Sequence, residues 1–264
     1  MIGIKDPVTE APPAEVPLKD APLVRVIAQI RFPEILAIEQ REFVAPFQEA
    51  IRTSFPVLRQ EQTQGVLVSP VGLTQVRPQT AWRFADVEGL WRASLTPEFL
   101  ALETTKYTSR GDFFTRFRDV VAALDEHVAP KLIDRLGVRY INRITGVAVD
   151  EITKLVRPEV RGIVGTPVAA RAAHTIAETM FELEEARLIA RWGCLPPGVT
   201  LDPSAIEPAP EKSWILDLDM FSATPTPFTV DRAVEDAKRY ATRIYTFFRW
   251  AVTDEFLQRY GGEP

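Results

Sequence analysis

The sequence predicts an α+β fold, a largely antiparallel sheet of about eight strands covered by two or three long helices. Three observations lead there. Short runs such as 23–31 alternate apolar and polar residues, the period of a half-buried strand. The segments 80–95 and 175–194 each read as two strands folded about a turn. The stretches 112–129 and 229–257 instead repeat apolar residues every three or four positions, as a helix facing a core does.

Taken in order, residues 1–22 carry Pro7, Pro12, Pro13, Pro17 and Pro22 and no apolar period. Such a segment buries too little surface to offset the entropy of ordering it, and it reads as a flexible proline-rich arm. The remainder, 23–264, reads as a single α+β domain, with two similar halves that would meet near 150–165. Its first strand alternates Val24, Val26, Ala28 and Ile30 with Arg25, Ile27, Gln29 and Arg31 until Pro33. A helix over 38–55 places Phe43, Phe47 and Ile51 four residues apart, with Pro46 as the point where it starts or kinks.

A short strand is expected at 65–69, then a hairpin of 80–85 with 90–95. If Ala85 faces Leu90, Phe84 meets Trp91 and Trp82 meets Ala93 on one aromatic face. The same register sets Arg83 against Arg92. Like charges directly opposed cost stability, so the register shifts, an anion sits there, or both side chains splay into water. Residues 99–104 read as a strand, and Asp112 as the cap of a helix to 129 with Phe113, Phe117, Val120, Val121, Leu124 and Val128 as its stripe.

Residues 138–145 form a further strand, and 155–164 a helix or loop interrupted by Pro158. The second hairpin pairs positions whose numbers sum to 369, setting Glu178 against Arg191 and Glu182 against Arg187 on an ionic face. Ala177 then meets Trp192, and Phe181 meets Leu188, on an apolar one. The proline-rich stretch 195–212 reads as a surface loop or lid. A strand follows at 213–221 with Trp214, Leu216, Leu218 and Met220 on one face, then the helix over 229–257.

Composition narrows the function classes. With 36 acidic against 31 basic residues, a net charge of −5 and a pI near 5.3, the surface as a whole is not built for nucleic acid. The single cysteine, Cys194, excludes an intramolecular disulfide and a multi-cysteine zinc site. The N-terminal stretch lacks the pattern of a signal peptide and no segment is apolar enough to span a bilayer, so the expectation is a cytoplasmic protein.

Candidate chemistry is sparse. Arg139 and Arg143 project from one face of their strand, where paired guanidinium groups can hold a phosphate or carboxylate, or can pair with acidic neighbours. Asn142 projects to the other face with Val138 and Tyr140, where a buried amide ties down backbone or lines a pocket. Arg83 and Arg92 are further ligand-binding candidates. Asp217 and Asp219 share a face and are weak metal candidates, since a site needs more ligands than two carboxylates. His127 and His174 lie in no metal-ligand spacing, and Cys194 reads as a small core residue. Phosphate-cradling glycine loops, a nucleophile elbow and a His-Glu-x-x-His motif are all missing, so no catalytic residue and no cofactor are expected.

Several stretches together resemble a sporadically distributed family of prokaryotic proteins. They are Pro22-Leu23-Val24 with Ile30-Arg31-Phe32, Trp82 with Phe84, Leu95 to Thr104, Tyr107 and Arg135 to Ile144. Leu216-Asp217-Leu218-Asp219 and Phe247 to Thr253 extend the resemblance over nearly all of 22–260. The family is described without an assigned activity, so the resemblance implies no catalytic residues. One departure falls at Ala237 to Tyr240, where the family pattern implies a histidine. Patchy occurrence of this kind is associated with mobile systems such as phage defence or toxin control.

The reading is therefore a non-enzymatic cytoplasmic binding or assembly protein that works through a protein partner or self-association, with no membrane or nucleic-acid role. The alternative is a sensor or enzyme for a small anionic ligand held by the sheet arginines. A metal-dependent hydrolase using Asp217 and Asp219 ranks third.

Overall fold

The computed structural model describes residues 4–63, 66–69, 72–75 and 79–264. Along the chain these form β1 (Leu23–Arg31), α1 (Arg41–Ile51), β2 (Val57–Thr63), β3 (Val66–Ser69), β4 (Gly72–Gln75), β5 (Gln79–Ala85), β6 (Trp91–Thr96) and β7 (Phe99–Thr104). Next come α2 (Arg110–His127), β8 (Leu132–Ile133), β9 (Arg135–Thr145) and three one-turn helices, α3 (Val147–Asp150), α4 (Ile152–Leu155) and α5 (Pro158–Arg161). The chain continues with β10 (Thr175–Glu182), β11 (Ala186–Leu195), β12 (Ser213–Ser222), β13 (Thr226–Pro227), α6 (Val230–Ala251) and α7 (Asp254–Arg259). The fold is α+β, with a large antiparallel sheet of nine strands ordered β10-β11-β12-β9-β1-β7-β6-β5-β2. That is one strand more than expected. The short strands β8 with β13, and β3 with β4, make two separate ladders. Of the strand expected at 65–69, Gly65 lies outside the described residues.

The chain divides into two compact units, each assembled from separated segments. The first comprises Met1–Val26, Val138–Ala223 and Lys238–Pro264, so the whole stretch 150–165 falls inside it. Its β10–β11 ladder has the expected register, with Thr175 opposite Cys194, Glu178 opposite Arg191 and Glu182 opposite Arg187. On one face of β11 and β12, Leu188, Ala190, Trp214, Leu216, Leu218 and Met220 are buried. The α6 residues Tyr240, Ile244 and Phe247 are buried as well, and Phe247 stacks on Phe181 of β10 with ring centroids 5.6 Å apart. Alternation along β9 assigns Asn142 to this apolar side, opposite Arg139, and it is buried there.

The helix expected over 229–257 is two helices. Thr253 makes the break: its side chain accepts from the Phe256 amide at 3.2 Å, capping α7, and donates to the Lys154 carbonyl at 2.7 Å. The proline-rich stretch after β11 folds over the polar face of the sheet. Gly198 donates to the Ala209 carbonyl at 2.8 Å, Thr200 to the Ile206 carbonyl at 3.0 Å, and Ala205, Ile206 and Ala209 are buried beneath.

Residues 4–22, read from sequence as an arm, lie along α6 and α7 of this same unit. Arg157 donates to the Ile4 carbonyl, Arg243 to those of Pro7 and Glu10, and Arg249 to that of Ala14. The Val16 amide donates to the Tyr245 hydroxyl at 2.8 Å and the Asp20 amide to the Tyr260 carbonyl at 3.2 Å.

The second unit comprises Ile27–Gly137 and Thr224–Ala237. The helix expected over 38–55 is here a 3-10 turn, Leu36–Glu39, followed by α1. Pro46 sits inside α1 on its exposed side, so the helix does not begin there, and the buried stripe is Val44, Phe47 and Ile51 without Phe43. Phe47 meets Phe84 edge-on at 5.5 Å, and the Trp82 indole donates to the Ile38 carbonyl at 2.7 Å. The second long helix is capped by Ser109, whose hydroxyl accepts from the Asp112 amide at 3.1 Å. Asp112, expected as the cap, instead accepts from Thr108 and Arg116.

The β5–β6 register is shifted by two from the one expected. Asp86 accepts from the amides of Leu90 and Trp91, and Gly89 adopts φ +72°, so residues 86–90 stay outside the ladder. Arg92 therefore faces Ala85, and Arg83 faces Ser94. The aromatic face survives, because a shift of two keeps Trp82, Phe84 and Trp91 on the buried side.

Candidate functional site

Five charged side chains form a ladder across the polar face of the first unit. Glu178 on β10 stands opposite Arg191 on β11, and Arg191 stands opposite Asp217 on β12. Arg191 donates to Glu178 through Nε and reaches Asp217 Oδ2 with Nη1 at 3.5 Å. Asp217, only 1% exposed, takes a forked pair of hydrogen bonds from Arg139 of β9, Nε to Oδ1 at 2.8 Å and Nη2 to Oδ2 at 2.7 Å. The third arm of that guanidinium, Nη1, donates to Asp202 Oδ2 at 2.7 Å. Asp202 belongs to the overlying loop and is itself held by Ser204, whose hydroxyl and amide both donate to Oδ1.

The electrostatics follow from this arrangement. Burial alone would pull the Arg139 guanidinium down, but the hydrogen bonds and charge of Asp217, then of Asp202, outweigh it and hold it above the usual range. Burial raises the Asp202 carboxyl, yet Ser204 and Arg139 donate to its ionised form and the net direction is down. Each of the three Arg139 nitrogens makes a hydrogen bond to a carboxylate. In a partly buried forked pair of this kind, the guanidinium orients a carboxylate, and three of its five N–H groups are taken by Asp217 and Asp202.

Arg143 is placed differently. Its Nη2 donates to the Glu207 carbonyl at 2.6 Å, while Nε is buried with no partner among the described residues. Burial pushes this guanidinium down. Arg83 and Arg92 belong to the second unit, where Arg83 donates to Glu61 at 3.2 Å and Arg92 pairs with Glu103. The like-charge confrontation read from sequence thus does not arise between them, although Arg83 does face Arg59 on β2.

Asp217 is engaged by arginine, and Asp219 is half-buried on the same face. Among the described residues, no group of three or more His, Cys, Asp or Glu side chains is placed to hold a metal ion. His127 lies in the last turn of α2 and His174 is exposed ahead of β10. Cys194 is buried, which pushes its thiol up and away from thiolate reactivity.

Two features escaped the sequence. Asp202 gave no signal, because a carboxylate in a proline-rich loop reads as solvated until the loop is folded back. The arginines at 157, 243 and 249 carry no sequence signal of a shared role, and only the fold turns their donors toward a single segment of chain. Compared with known proteins, the chain matches no family model and no curated protein.

The remaining distinctive surface is β10. Among the described residues it ends the sheet, with β11 as its only strand neighbour, although the 3-10 turn Gly162–Gly165 packs beside it. Most of the strand stays open to solvent: Ile176 is 38% and Met180 55% exposed. In the same unit, Ile163 and Val168 are exposed apolar residues of the preceding 3-10 turns. No helix among the described residues is long and apolar enough to cross a membrane.

Proposed function

We propose that this is a non-enzymatic binding or assembly protein that takes up an extended strand from a protein partner along the edge of β10. The observation carrying this reading is the exposure of Ile176 and Met180 on an end strand. A sheet edge offers a row of backbone donors and acceptors, and apolar side chains beside it supply the area that strand addition needs. Self-association is the simplest form of such pairing, and an accessory role in a mobile bacterial system such as phage defence or toxin control is the setting proposed for it. The test is sedimentation of the native chain beside Met180→Lys, with affinity capture from the host. Concentration-dependent mass or a captured partner, lost in Met180→Lys, supports edge pairing. A chain that stays at 29.7 kDa and captures nothing overturns it.

A second reading, a sensor or enzyme for a small phosphate- or carboxylate-bearing ligand, rests on Arg143, whose buried Nε has no partner among the described residues. A ligand that binds only the folded state must raise its melting temperature. Millimolar nucleotides and phosphate esters that leave the melting temperature unmoved remove this reading.

A further inference from the structure

The seat of residues 4–22 has the chemistry of a peptide-binding groove. Along α6, Arg243 and Arg249 project one turn and more apart and donate to backbone carbonyls of the segment, those of Pro7, Glu10 and Ala14, with Arg249 also donating to the Tyr245 hydroxyl at 3.3 Å. Arg157, at the start of α5, does the same to Ile4. The Tyr245 hydroxyl works in both directions, accepting from the Val16 amide at 2.8 Å and donating to the Ala14 carbonyl at 3.3 Å. Tyr245 also heads an aromatic row through Phe248 and Phe256 to Tyr260, with ring centroids 6.3, 5.6 and 4.7 Å apart.

The occupant's hydrogen bonds to α6 and Arg157 run through its main chain, while the Val16 and Leu18 side chains lie close to Gly262. No residue of 4–22 is buried, and from Ala11 to Leu18 it has no regular secondary structure of its own. It is rich in proline, and Asp6, Glu10, Glu15 and Asp20 outnumber Lys5 and Lys19. Arginine and tyrosine donors that read carbonyls beside aromatic rings are how grooves recognise extended proline-rich chains, whose backbone is preformed and whose carbonyls stay free of internal hydrogen bonds. A segment held by a few hydrogen bonds at the surface, part-buried at Ile4, Pro7, Glu10 and Val16 and exposed at Ala14, with no fully buried residue, belongs to the less stable part of a fold and can open locally.

We propose that the α6–α7 surface beneath residues 4–22 is a recognition groove for a proline-rich, net-acidic extended segment of another protein, which the chain's own N-terminal segment occupies in cis as a displaceable strap. This site is separate from the β10 edge and stands or falls independently of it. Three arginines against an acidic segment give the charge complementarity, and the cis occupant shows what sequence chemistry fits.

The test uses the full chain and a fluorescent synthetic peptide of residues 4–22, read by anisotropy up to millimolar protein. The tethered copy competes at an effective concentration on the order of millimolar, so native binding is weak. In the full chain, Val16→Pro removes the amide that Tyr245 accepts, loosens the strap, and should tighten peptide binding about three- to tenfold. Arg243→Ala with Arg249→Ala should weaken binding at least as much, with an unchanged far-ultraviolet spectrum showing that the fold persists. Absence of peptide binding to both the native chain and Val16→Pro overturns the proposal. So does a doubling of mass that the double arginine variant abolishes, which would assign the groove to strap exchange between copies.

Discussion

Asp217 receives both Nε and Nη2 of Arg139, at 2.8 and 2.7 Å, while its own side chain is 1% exposed. The pair organises the polar face of the sheet, because Arg191 approaches Asp217 from β11 and Arg139 carries Asp202 of the overlying loop.

Removing one partner of this pair leaves the other charged, desolvated and alone. Asp217→Ala is expected to lower unfolding free energy by about 3–5 kcal/mol, whereas Arg139→Met combined with Asp217→Leu should recover most of that loss, since an apolar pair of similar volume carries no desolvation penalty. Urea denaturation of the two variants and the native chain checks both directions. Equal stability of the single and double variants would sink this account.

The Asp202 carboxyl is held below the usual aspartate value of 3.8 in the folded chain, with Ser204 and Arg139 overcoming the opposing effect of burial. A depressed carboxylate contributes stability that is fully present above its unfolded pKa and disappears as pH falls through the folded one. The native chain should therefore exceed Asp202→Asn in stability near pH 6, and the gap should shrink steadily from about pH 4 downward. Denaturation midpoints between pH 2 and 7 report it, and a gap that widens in acid contradicts the assignment.

At Gly193 the backbone has φ +151°, and a Cβ there would stand 1.8 Å from the Thr175 carbonyl oxygen. Gly193 pairs with Ile176, so the β10–β11 ladder depends on a residue with no side chain. Gly193→Ala is expected to cost more than the roughly 1–3 kcal/mol of backbone strain alone, because the clash with main chain adds to it. Hydrogen exchange should show the β10 amides losing protection before those of β12. Protection retained throughout β10 would refute this.

Thr253→Ala removes both the cap of α7 and the bond to the Lys154 carbonyl. Loss of about 1 kcal/mol is expected for the cap, with a further contribution of roughly 0.5–1.5 kcal/mol for the second bond. Thr253→Ser, which keeps the hydroxyl, should stay within a few tenths of native. Thermal unfolding of the two variants separates hydroxyl from methyl.

What could be read from sequence was whatever depended on local period. The 369 register of β10 and β11 followed from matching Glu178 to Arg191 and Phe181 to Leu188, because opposite charges and apolar partners agreed on one alignment. The β5–β6 register failed by two residues because Asp86 captures two amides in the turn, a side-chain interaction invisible to alternation. Helix ends failed for the same reason: hydroxyls at Ser109 and Thr253 decided where α2 begins and α6 gives way to α7. At the candidate site, Arg139 and Asp217 were identified separately. Their union, and the part played by Asp202, required knowing that β9 and β12 are neighbours and that the loop folds back.

The segment 4–22 is fastened through its carbonyls and amides, with every side chain at least partly in water. Different proline-rich, net-acidic sequences should therefore seat there alike, provided the main chain follows the same path. Homologues should exchange residues here while keeping that character and the tyrosine and arginines that grip it, and a comparison anchored on residue identity would discard this stretch first.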